Sequence, residues 1–169
     1  MKAKLIIEDK EIEIEISEEE YKKLQPSEEK KTGYERVPEE SAYFYVSARG
    51  CVGADIDNYC HVDDGLYESA NYYSSETVAE NNTRADKLMR QLRRFSVEHR
   101  EREVDFNDMN TKQYYIYYDY GNNTLGTAFT LCARVFGAIY FDSEETAQAA
   151  IDEFRDELIW YFTEYKDSL

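Results

Sequence analysis

The stretch Gln113-Tyr114-Tyr115-Ile116-Tyr117-Tyr118-Asp119-Tyr120 sets five tyrosines within eight residues. Aromatic and β-branched residues suit the pleated, half-buried surface of a sheet, so the run predicts a β-strand. Side chains alternate across a strand. Tyr114, Ile116, Tyr118 and Tyr120 therefore share one face, and Gln113, Tyr115, Tyr117 and Asp119 the other. The Ile116 face is expected to enter the core. Tyr115 and Tyr117 are then either covered by the N-terminal part of the chain or left as an aromatic contact patch. After the turn Gly121-Asn122-Asn123 the chain is expected to return over about 124–131, and Gly137-Ala138-Ile139-Tyr140-Phe141 reads as a third strand.

A related passage lies upstream. Ala42-Tyr43-Phe44-Tyr45-Val46-Ser47 reads as a strand, Arg49-Gly50 as a turn, 51–56 as a weaker strand and 57–69 as an irregular acidic stretch. Tyr72-Tyr73-Ser74-Ser75-Glu76 and Tyr140-Phe141-Asp142-Ser143-Glu144 stand 68 residues apart. Each joins an aromatic pair to a capping pair and an acid that opens a helix. The first helix is expected from Ser75 to about Arg100, on a stripe of Val78, Ala85, Leu88, Leu92 and Phe95 that Asn82 interrupts; the second uses Ala147, Ile151, Phe154, Leu158 and Tyr161 or Phe162. The expected fold class is α+β: two hairpin-then-helix halves over 41–169 sharing one antiparallel sheet, with both helices on one face.

Ahead of this domain, Lys4-Leu5-Ile6-Ile7 and Glu11-Ile12-Glu13-Ile14-Glu15-Ile16 flank a Glu8-Asp9-Lys10 turn. Ser17 followed by Glu20 forms a capping box for a short helix to about Leu24, so residues 1–24 read as a ββα unit. Residues 25–40 hold both prolines and a run of mixed charge, the composition of a linker.

At 169 residues and 42% hydrophobic content, the chain can build a core. It has no apolar run approaching the roughly 18 residues of a membrane span, and its start turns acidic too soon for a signal peptide, so a cytoplasmic location is expected. Cys51, Cys60 and Cys132 are odd in number and lack CxxC spacing, which predicts reduced thiols. A formal net charge of -16 repels phosphate backbones and acidic membranes and favours basic partners. Only 84–112 runs against this, with eight basic and six acidic side chains.

Catalytic raw material is sparse. Cys60 and His61 near Asp63 and Asp64 supply a nucleophile, a base and an orienting acid by type, but neighbours on a strand point apart and no nucleophile motif surrounds either cysteine. Asp55, Asp57, Asp63 and Asp64 offer hard ligands, and Cys51, Cys60 and His61 zinc-type ligands, without the spacing of a calcium loop or a zinc motif. No catalytic, metal or cofactor site is expected, and this stretch reads as a solvated acidic loop.

Charge patterns are more informative. Arg84, Lys87, Arg90 and Arg94 align along one flank of the first long helix and could grip phosphates, or could solvate the helix and pair with acids. Glu11, Glu13 and Glu15 recur every 6.6–6.8 Å or so along their strand, and the last helix adds Glu145, Asp152, Glu153, Asp156 and Glu157. Such rows can stand in for phosphates in a partner's nucleic-acid site, with Tyr115 and Tyr117 as added contacts; they can equally serve solubility alone.

The opening from Met1-Lys2-Ala3-Lys4-Leu5-Ile6-Ile7 to Ile16-Ser17, the junction Lys31-Thr32-Gly33-Tyr34-Glu35-Arg36-Val37, and the order Asn71-Tyr72-Tyr73, Tyr114-Tyr115-Ile116-Tyr117-Tyr118-Asp119, Ile139-Tyr140-Phe141-Asp142-Ser143-Glu144-Glu145-Thr146-Ala147 resemble small acidic proteins of phages and prophages of Gram-positive bacteria. The likeness covers almost the whole chain and supplies no catalytic motif. It implies a non-enzymatic accessory or anti-defence factor in the cytoplasm of a bacterial host, of the kind that includes some anti-CRISPR proteins. The partner it implies is a basic, nucleic-acid-binding host protein such as a CRISPR-associated nuclease or its guide-RNA complex. The alternatives are direct nucleic-acid binding through Arg84, Lys87, Arg90 and Arg94, and a structural role in the virion.

Overall fold

Alternation of isoleucine and glutamate yields the first hairpin, in which β1 (Lys2–Ile7) pairs antiparallel with β2 (Lys10–Glu15). The computed structural model describes residues 2–7, 10–15, 17 and 31–168, with 2–15 as backbone only; the chain divides into compact units of 1–31 and 32–169. The register sets Lys2 opposite Glu15 and Lys4 opposite Glu13, and residues directly opposite share a face. Two members of the expected glutamate row thus stand opposite lysines in the register. The side chains of that row, and the helix expected to run to about Leu24, lie outside the described residues.

The second unit has an α+β fold. Its first half consists of β3 (Ala42–Val46), β4 (Val52–Ile56), α1 (His61–Glu68) and α2 (Glu76–His99); its second consists of β5 (Gln113–Asp119), β6 (Thr124–Thr130), β7 (Tyr140–Phe141), α3 (Glu144–Glu153) and α4 (Arg155–Thr163). The two halves follow one plan. In each, the first hairpin strand is central, flanked by the second hairpin strand and by a returning aromatic pair: Tyr73 bridges Phe44 as Phe141 pairs with Tyr114. A serine then caps the helix. Ser75 accepts the Val78 N–H at 3.5 Å, and Ser143 accepts the Thr146 N–H at 3.0 Å. One turn on, Ala79 and Ala147 are both fully buried.

The hairpins also share a cross-strand device. Tyr45 lies over its partner Gly53, where a Cβ would come within 2.8 Å of the ring, and Tyr117 lies over Gly126, where the distance would be 2.9 Å. Glycine is needed at both positions because the tyrosine ring occupies the space of a side chain.

The expected single sheet is replaced by separate ones, with orders β3-β4 and β6-β5-β7. Both sides of each central strand are used within its own half, which leaves β4 and β6 outermost, and among the described residues no ladder joins those two. The halves join instead through α2. Its Val78 and Ala79 pack with Tyr73, Phe44 and Val46, while Leu88, Leu92 and Phe95 join Phe141, Ala147, Ala150, Ile151 and Leu158 beneath Tyr114 and Ile116. Asn82, which interrupts the stripe, donates to the Tyr34 hydroxyl and accepts from that of Tyr165, both at 2.9 Å.

Other expectations need correction. Residues 32–40, read as linker, are packed into the larger unit: Gly33 is buried at φ +94°, where a Cβ would lie 2.6 Å from Val78, and its carbonyl accepts the Ser74 N–H. The third strand shrinks to Tyr140–Phe141, because Gly137 at φ +80° turns the chain and the Tyr140 hydroxyl meets the Val135 N–H. The last helix breaks at Phe154 (φ -112°, ψ 21°), whose ring packs edge-on against Phe95. Residues 57–69 contain α1 rather than an irregular loop. No helix among the described residues is long and apolar enough to cross a membrane.

Candidate functional site

The tyrosine strand has one incomplete edge. β7 pairs with β5 only at Tyr114 and Tyr115, and among the described residues no strand continues along Ile116–Tyr118 on that side. A groove of about 300 Å³ opens there between α2, α4 and the loop before β7. Its walls are apolar: Met89, Tyr117, Val135, Phe136, Tyr161 and Phe162 all face it. Phe136 is fully exposed and Val135 half exposed, a concentration of apolar surface that is uncommon unless something covers it.

The two faces of β5 separate as the alternation requires. Tyr114 and Ile116 pack into the core, and Tyr118 stacks on Phe162 at 5.9 Å. On the opposite face, Tyr115 is half-buried against the edge of Tyr140, and Tyr117 is 41% exposed. Both candidate contact tyrosines therefore reach the groove.

The acids do not form one row. Glu145 and Asp152 lie with Glu144 and Gln148 around a shallow depression on the outer face of α3, seven residues or roughly 10 Å apart along the axis. Glu153 and Asp156 are exposed at the α3–α4 junction, and Asp152 makes an ion pair of 3.3 Å with Arg155. Glu157 is committed elsewhere. It pairs with Arg84 at 2.8 Å, which holds its carboxyl below the usual range.

That pairing also changes the basic flank. Arg84 lies over the Trp160 ring at 3.9 Å and bonds both Glu157 oxygens, while Arg94 approaches Glu98 at 3.8 Å. Lys87 and Arg90 remain exposed on α2. Lys87 and Arg84 line a polar groove of about 710 Å³ together with Glu76, Glu80 and Glu157, so cations and carboxylates alternate there.

The densest polar cluster was not legible as such in the sequence. Asp57, fully buried, accepts from Arg36 Nε at 2.9 Å, from a second Arg36 nitrogen at 3.1 Å, and from the Tyr59 N–H and Tyr72 hydroxyl, each at 2.8 Å. Arg36 also bonds Asp64 at 2.6 Å and lies 4.3 Å from the centre of the Tyr59 ring. The guanidinium holds Asp57 well below the usual carboxylate range, and burial raises Tyr72 to about 12. Asp63, buried as well, accepts the Asn58 and Cys60 N–H groups and the Tyr43 hydroxyl. Asp63 thus braces the start of α1, with Cys60 as N-cap and His61 exposed beside it. The signal missed was Arg36, 21 residues from Asp57 and inside the expected linker. Among the described residues no group of three or more His, Cys, Asp or Glu side chains could hold a metal ion.

No family model, curated protein or solved structure matches the chain.

Proposed function

We propose that this chain is a non-enzymatic, phage-encoded accessory protein that acts in the bacterial cytoplasm. It binds a basic, nucleic-acid-binding host defence protein, of the CRISPR-associated nuclease kind, and occupies its nucleic-acid site. The observation that carries this reading is the carboxylate display on the outer face of α3 in a chain of net charge -16. Carboxylates held on a rigid helix attract a cationic channel at long range. The resemblance to small acidic phage proteins supports the same reading. The commitment of Arg84 to Glu157 takes one cation from the competing phosphate-binding flank.

Competition measures it directly. Purified CRISPR-associated nucleases from Gram-positive bacteria are loaded with fluorescent target DNA, and the chain is added at low and high salt. DNA displacement is expected, weakening as salt rises, and lost when Glu145, Asp152, Glu153 and Asp156 are changed together to Gln or Asn. Displacement that survives this neutralisation would sink the acidic mechanism. A gel shift of DNA or RNA by the chain alone at low salt would instead favour the Lys87 and Arg90 flank.

A further inference from the structure

The two halves differ at the edge of the central strand. In the first half, Phe44 and Tyr73 exchange backbone hydrogen bonds of 2.8 and 2.9 Å. Two residues along, the Val46 N–H donates to the Asn71 carboxamide oxygen at 2.8 Å, and the Asn71 amide donates back to the Val46 carbonyl at 2.9 Å. A side chain thereby closes the edge in place of a strand. In the second half, Tyr114 pairs with Phe141, so Ile116 stands where Val46 does and Ile139 where Asn71 does. Isoleucine has no donor or acceptor to offer. The apolar groove opens at this position.

We infer that the β5 edge at Ile116–Tyr118 takes an extended peptide segment of a partner protein as an added strand. The segment's alternate side chains are apolar and enter the groove, and its flanking residues are lysine or arginine. Each part of this description has a separate cause. An open strand edge presents backbone donors and acceptors that another extended backbone satisfies at no cost in side-chain chemistry. A period of two then sends every second side chain of the added strand toward Tyr161, Phe162 and Met89. The basic flanks follow from the net charge of -16, and this part rests on the reading of the partner as basic. Phe136 stands exposed at the groove and supplies apolar surface to the incoming side chains.

The test uses the full chain, isotope-labelled for amide spectroscopy, and three short synthetic peptides. One alternates valine and threonine with lysine at each end; the second carries glutamate at the ends; the third is the lysine peptide with alternate backbone amides N-methylated. The lysine peptide is expected to shift the Ile116 and Tyr118 amides, whose N–H groups point to the open edge while that of Tyr117 points to β6, saturably and to slow their exchange. The other two should bind at least about tenfold more weakly, since each loses one of the two contributions. Ile139→Asn places a carboxamide where the first half has one and is expected to weaken lysine-peptide binding to a similar degree.

Absence of shifts at millimolar lysine peptide overturns the docking edge, as does equal binding of the N-methylated peptide. Equal binding of the glutamate peptide overturns the basic occupant while leaving strand pairing in place, so the two failures are distinguishable. Slow exchange of these two amides in the dilute free protein would mean that the chain itself already closes the edge. Slow exchange only at high protein concentration would make a second copy the occupant. Either result overturns the proposal, and the peptide comparison decides it if Ile139→Asn does not fold.

Discussion

Asp57 shows how one residue can carry a cluster. Four hydrogen bonds converge on a carboxylate with no solvent exposure, and Arg36 supplies two of them. Since the folded-state pKa is depressed, the resulting stabilisation is complete above the unfolded value near ~3.9 and is lost as pH falls through the lower folded value. Urea unfolding from pH 7 to pH 2 should therefore show a stability deficit for Asp57→Asn at neutral pH that narrows as the wild type is acidified. A deficit constant across that range would show that Asp57 contributes by shape alone. Arg36 and Asp57 were each visible in the sequence as single charges, but their pairing was not: it depends on a strap that folds back across 21 residues, and nothing local marks such a return.

At the scale of elements, the helix caps give the clearest comparison. Ser75 and Ser143 occupy matching positions in the two halves, and replacing a capping serine by alanine costs about 1 kcal/mol. Ser143, with the shorter bond of 3.0 Å against 3.5 Å, should cost more than Ser75 on replacement, and the double variant should lose close to the sum. Equilibrium unfolding of the three variants checks this; a larger loss at Ser75 would contradict it. The capping pairs Ser74-Ser75 and Asp142-Ser143, the stripe of α2 and the alternation of β5 were all legible, because each is a pattern of side chains within a few residues. The choice of Ser75 over Ser74 came from the fold. The shortening of β7 and the break at Phe154 were not. Gly137 and Phe154 adopt their dihedrals while Tyr140 reaches Val135 and Phe154 meets Phe95, contacts that local pattern does not reveal.

At the scale of the whole molecule, charge and core pull against each other. A net charge of -16 on 169 residues repels itself, and screening at 0.15 M salt confines that repulsion to about 8 Å, against about 30 Å at 0.01 M. The thermal midpoint should rise between these salt concentrations despite weaker surface pairs such as Arg94–Glu98; a fall would mean that ion pairs outweigh the net repulsion. By itself the sequence determined the α+β class, the two related halves, the helix stripes and the inward face of β5, because hydrophobic periodicity and capping chemistry act through near neighbours. Only the tertiary structure decided that the halves keep separate sheets, that Glu157 is committed to Arg84, and that Asn71 closes one strand edge while, among the described residues, no strand pairs with the other beyond Tyr115. Each of those outcomes depends on which groups meet after the chain has closed on itself, and pairing across such distances is set by packing geometry rather than by any pattern a short window contains.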